Sequence, residues 1–83
     1  EQNYPNPFNP STTITFSLQQ AMKVTLKIFD TQGNEILKLR NQEHLQAGKY
    51  QNEWDASRYP SGLYFYCLQG NGFSETKKLL LLK

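Results

Sequence analysis

From Thr12 onward the chain alternates apolar and polar residues, and this period-two pattern constrains the fold more than any other feature of the sequence. Ile14, Phe16 and Leu18 fall on one side and Thr13, Thr15 and Ser17 on the other. After Gln19-Gln20 the alternation resumes, with Met22, Val24, Leu26 and Ile28 set against Lys23, Thr25 and Lys27. Successive side chains of a strand point to opposite faces, so each run reads as a half-buried strand. The short link between them predicts a hairpin.

The rest of the chain is punctuated as an all-β protein would be. Asn3 to Pro10 carries prolines at positions 5, 7 and 10; each fixes φ and removes a donor, which excludes helix and predicts an extended edge segment anchored by Tyr4 and Phe8. Asp30 to Asn34 has turn chemistry, an acidic side chain able to bond back to the backbone followed by Gly33. Glu35 to Arg40 reads as a strand whose apolar residues alternate imperfectly, the mark of a bulge or of a strand that changes sheet. Asn41 to Ala47 reads as a polar loop crossing between sheets. Tyr50, Asn52 and Trp54 follow at period two, with Trp54 as the centre of the core. Asp55 to Gly62 is a second loop, and Leu63 to Leu68 is a strand apolar on both faces. Asn71-Gly72 is a strong hairpin signal leading into a last strand, Phe73 to Lys83. Read as a two-residue loop, Asn71-Gly72, or as a three-residue loop, Gly70-Asn71-Gly72, it pairs different side chains.

Counting the proline segment gives about seven strands in one domain over residues 1–83, an all-β, immunoglobulin-like antiparallel sandwich of two sheets. With 83 residues, 13% of them aromatic, the chain can build one core and has no room for an active-site cleft. Nine basic residues are scattered rather than striped, and the net charge is +2, which argues against nucleic acid as a partner. The longest apolar run, Leu79 to Leu82, falls far short of the roughly 20 residues of a spanning helix. The chain opens at Glu1 without a basic-then-apolar leader, so an export signal is expected upstream.

Candidate chemistry is thin. His44 is the sole histidine and reads as a solvated loop residue without a second imidazole for zinc. Cys67 is the sole cysteine and lacks a base by spacing, so it reads as a small buried hydrophobe. Glu53 and Asp55 flank Trp54 but sit where a carboxylate pair would be exposed and untuned. Asn6, Asn9 and Asp30 offer too few oxygens for calcium. Neither catalytic residues nor a cofactor or metal site is expected. Tyr50, Trp54, Tyr59, Tyr64 and Tyr66 are the components of a carbohydrate-stacking platform, but Tyr50 and Trp54 share the parity of core positions.

The most informative segment is the tail. Either Leu79 and Leu81 or Leu80 and Leu82 must point away from the core, and Leu63 and Phe65 stand in the same relation to Tyr64 and Tyr66. One outer face therefore carries apolar surface of the kind that marks an interaction site. Lys77, Lys78 and Lys83 flank it, and a strand at a sheet edge can also bind by pairing.

The run Asn3-Tyr4-Pro5-Asn6-Pro7-Phe8-Asn9-Pro10-Ser11-Thr12, then Ile28-Phe29-Asp30 with Gly33, Gly48, Trp54, Ser61-Gly62-Leu63-Tyr64, and Lys77-Lys78 before the leucines and Lys83, resembles the C-terminal sorting domains of type IX secretion cargo. The likeness covers nearly the whole chain; its opening half is also similar to the immunoglobulin-like domain of flagellar hook-capping proteins, a structural scaffold. The resemblance implies a non-enzymatic label on an exported bacterial protein. It would act in cis on an upstream cargo, pass through the periplasm, be read by the outer-membrane translocon and be handled by a sortase-like surface peptidase that leaves the cargo at the cell surface. The tail hairpin is the surface expected to be read by that machinery, with Gly62, Tyr64, Gly70, Gly72, Lys77, Lys78, Leu79, Leu80, Leu81, Leu82 and Lys83 as its candidate recognition residues. Cys67 departs from the basic residue that similar domains often carry there.

Overall fold

A computed structural model describes residues 11–82. The expected proline segment, its anchors Tyr4 and Phe8, the candidate ligands Asn6 and Asn9, and Lys83 lie outside the described residues. Six strands are present among those described: β1 (Ser11–Leu18), β2 (Met22–Phe29), β3 (Glu35–Leu45), β4 (Gly48–Asp55), β5 (Gly62–Gly70) and β6 (Phe73–Leu81). They form a two-stranded sheet, β1-β4, and a four-stranded sheet in the order β3-β2-β5-β6, all neighbours antiparallel. This is the two-sheet sandwich the alternation predicts.

The alternation also explains how the layers meet. Ile14 and Leu18 of β1 and Trp54 of β4 are buried, as are Val24, Leu26 and Ile28 of β2, Tyr64, Tyr66 and Leu68 of β5, and Leu79 and Leu81 of β6. These side chains form one core between the sheets. Removal of so much apolar area from water is the main stabilising term for a domain of this size.

Two local expectations need correction. The first two strands do not form a hairpin: β1 pairs with β4, β2 pairs with β3 and β5, and residues 19–21 cross between the sheets. Both strands have one apolar face, and packing those faces across the interior buries both. The segment Asn41 to Ala47 is not a loop, because β3 continues to Leu45, with His44 exposed opposite Lys23. Its polarity reflects an outer, edge strand rather than a turn. Of the two readings of the imperfect alternation in β3, the bulge is the one the structure bears out: the β2–β3 register shifts three times. At one shift Thr25 faces both Asn41 and Gln42, where the Gln42 N–H donates to Thr25 Oγ1 at 3.0 Å and Gln42 takes a φ of 50°. Such extra residues bend and twist an edge strand and disfavour pairing with foreign strands.

Candidate functional site

The tail hairpin is built from both ends of β5. Gly62 opens the strand with a φ of +152°, a conformation natural to glycine and unfavourable to any L side chain. Two residues later Tyr64 is buried, its ring 5.3 Å from that of Trp54 in an edge-on arrangement, and its hydroxyl donates to the Pro60 carbonyl at 2.7 Å. Burial pushes the Tyr64 hydroxyl above its ordinary pKa, with the Asp30 charge adding to the effect. At the far end Gly70 pairs with Phe73, leaving Asn71-Gly72 as a two-residue loop. Gly70 lies beneath the Phe73 ring and Met22 Sδ, both of which a Cβ would strike.

The β5–β6 register then runs unbroken from Gly70↔Phe73 to Gly62↔Leu81, and it assigns a face to every tail residue. Leu79 and Leu81 are 0% exposed and belong to the core, whereas Leu80 and Leu82 are 48% and 52% exposed. Leu80 pairs with Leu63, which is 38% exposed, and Lys78 pairs with Phe65. Phe65 in turn pairs with Phe29 of β2, both half-buried. The outer face of the sheet thus carries a continuous apolar strip of Leu82, Leu80, Leu63, Phe65 and Phe29, with Lys78 exposed beside it. Isolated exposed leucines are ordinary, but a contiguous strip on one face has the character of a contact surface.

The tail residues named from the sequence therefore divide into two sets. Leu80, Leu82 and Lys78 share the outer face. Leu79, Leu81, Tyr64 and Gly70 hold the hairpin on the body, and Gly72 sits in its turn. Lys77 does not flank the outer strip, a correction forced by alternation: it lies on the same face as Leu79, paired with Glu75 at 3.6 Å. There it lines an inter-sheet cleft of about 440 Å³ with Phe16, Tyr50, Tyr66 and Phe73. Of the two pairs the sequence offered on β5, Leu63 and Phe65 face outward and Tyr64 and Tyr66 inward, whereas Phe29 was missed by sequence reasoning. Phe29 joins the strip through the β2–β5 pairing alone.

The remaining candidates resolve into structure. Cys67 is buried on the outer parity, its Sγ 3.3 Å from Ser74 Oγ. Asp30 accepts hydrogen bonds from the N–H groups of Gln32 and Asn34, each at 2.9 Å, and from Asn34 Nδ2 at 3.1 Å. Its carboxylate thus closes the β2–β3 turn. Asp55 Oδ1 accepts from the Ser57 N–H at 3.1 Å. Trp54, Tyr64 and Tyr66 are buried, and Trp54 packs against a tilted Tyr59 ring at 5.3 Å and edge-on against Tyr64. These rings belong to the packing of the core. Arg40 is the centre of a half-buried cluster, its guanidinium 5.8 Å from the Phe16 ring and 5.3 Å from the Tyr50 ring while bonding Asn52 and Glu43. The bond to Asn52 and the contacts with the two rings tie β3 to the two-stranded sheet, while Glu43 is a partner on β3 itself.

Residues 2–82 match the family described as the secretion system C-terminal sorting domain. Neither a curated protein nor a solved structure matches the chain.

Proposed function

The chain belongs to the family of secretion system C-terminal sorting domains of type IX cargo, and from that premise we propose that the outer strip of its tail hairpin is the surface by which the secretion machinery reads it. The observation carrying this reading is the division of the tail leucines: two of the four are withheld from the core and join Leu63 on one exposed face. Burying such a strip against a partner yields roughly 25 cal/mol per Å² of apolar area removed from water. Lys78 adds orientation and encounter rate rather than affinity. The domain labels a cargo fused in cis, which crosses the outer membrane through the translocon. A sortase-like surface peptidase then removes the label and leaves the cargo at the cell surface or outside the cell. The domain itself supplies binding surface and no chemistry.

The test is a reporter fused to this domain in a bacterium with a type IX system, comparing the native tail with Leu63→Ser, Leu80→Ser and Leu82→Ser combined. Secretion should fall sharply while circular dichroism shows an intact sandwich. Normal secretion of the folded variant would overturn the assignment of the surface.

A further inference from the structure

We propose that Asn71, in the loop of the tail hairpin, is a site of spontaneous deamidation and backbone isomerisation, a chemical clock built into the tail. The reaction requires the amide nitrogen of the following residue to reach the asparagine side-chain carbon, so it is fastest where that residue is glycine and the local backbone is free to move. Asn71 is followed by Gly72, both are exposed, and together they make up the whole loop between Gly70 and Phe73. The space beside Gly72 is open, with nothing within 4 Å of where a Cβ would stand.

The other asparagines of the described chain are held differently. Asn34 is fastened to Asp30 through both its backbone N–H and its Nδ2, and Glu35 follows it. Asn52 is buried, donating to the Ile14 carbonyl at 3.1 Å and accepting from Arg40 Nε at 2.5 Å. Asn41 lies within β3 and precedes Gln42, whose side chain hinders the attack.

The chemistry needs only water. The Gly72 nitrogen loses its proton and attacks Asn71 Cγ; the Cγ–Nδ2 bond breaks and ammonia leaves, giving a five-membered imide. Water opens the imide at either carbonyl. One opening gives aspartate; the other gives isoaspartate, in which the main chain passes through Cβ and is one atom longer. Each route consumes one water and releases one ammonia. Both products place a negative charge in the loop, and the longer main chain no longer fits a two-residue connection. The loosening falls on the Gly70↔Phe73 end of β6, where the Phe73 ring covers Gly70.

Holding the folded domain at physiological temperature and mildly alkaline pH, then mapping its peptides by mass spectrometry and labelling with isoaspartyl methyltransferase, tests the proposal. Conversion should accumulate at Asn71 at least about tenfold faster than at Asn34 or Asn41, accelerate with pH, and disappear in Asn71→Gln. Amide exchange should rise in the first residues of β6 as the product forms. Conversion of Asn71 in the folded domain no faster than that of Asn34 or Asn41, with the denatured chain reacting at Asn71 normally, overturns it.

Discussion

The Tyr64 hydroxyl reaches back four residues to the Pro60 carbonyl at 2.7 Å, and Tyr50 makes the same reach to Gln46 at 2.6 Å. In each case a glycine stands midway, Gly62 at a φ of +152° and Gly48 at +150°, and each glycine opens a strand. The segments 46–50 and 60–64 are therefore one device used twice, a tyrosine pinning the corner through which the chain enters a new strand. A tyrosine bonded to upstream backbone closes a corner of immunoglobulin-like sandwiches in the same manner.

Removing one hydroxyl tests the device. Tyr64→Phe keeps the ring against Trp54 and deletes the bond to Pro60, so urea unfolding should show a loss of about 0.5–1.5 kcal/mol. Tyr50→Phe should cost less, since its bond lies in contact with water. Equal or zero effects would argue that the corners are held by packing alone.

Gly62→Ala probes the backbone instead. No atom obstructs a methyl group there, so any loss comes from the dihedral, on the order of 1–3 kcal/mol for a residue held in a sparsely populated region. A thermal melt as stable as that of the parent would show that the corner relaxes at no cost.

Trp54 is 1% exposed and touches both Tyr59 and Tyr64. Trp54→Ala should destabilise by about 3–5 kcal/mol, a large part of the roughly 5–15 kcal/mol of a whole domain. The expected outcome is a chain largely unfolded near room temperature by near-ultraviolet circular dichroism.

Adjacent tail leucines should respond oppositely. Leu81→Ala opens a cavity in the core and should cost about 2–5 kcal/mol, while Leu82→Ala, on the exposed face, should stay within about 0.5 kcal/mol of the parent. Parallel denaturant titrations of the two variants measure the contrast, and similar losses would mean that the outer face is covered.

The Asp30 turn sets an acid limit. The Asn34 N–H, then the Asn34 side chain, and further the Gln32 and Gly33 N–H groups hold the Asp30 carboxyl below its ordinary 3.8, more than offsetting its small desolvation. Because folding depresses this pKa, the turn's contribution is fully present above pH 3.8 and is lost as the pH falls through the lower, folded value. A carbon-detected NMR titration should place Asp30 below the free carboxyl, and Asp30→Ala should flatten the acid limb of the unfolding curve.

The strands themselves were legible because period-two alternation is a direct image of half-burial, and Trp54 announced the core by size. Pairing was less legible. Nothing in residues 11–29 distinguishes two strands side by side from two strands stacked face to face, since both arrangements bury the same alternating set. The length of β3 was hidden for a different reason: Asn41, Glu43 and His44 lie at the outer edge, where strand residues are as polar as those of a loop. Lys77 was misplaced because the sequence shows a lysine pair, whereas a strand sends its two members to opposite faces.

The same separation of Lys77 from Lys78 fixes the alignment of the tail. Four consecutive leucines are mute about register, because sliding them by one position replaces leucine with leucine. The three-residue loop that the sequence also allows would slide the strand so that Lys78 came to stand across from Tyr64, in the fully enclosed slot now held by Leu79. An ammonium group cannot be stranded there without a partner, so the basic doublet works as a ratchet pawl, and a tail may change its greasy residues freely yet cannot gain or lose one between the turn and the lysines.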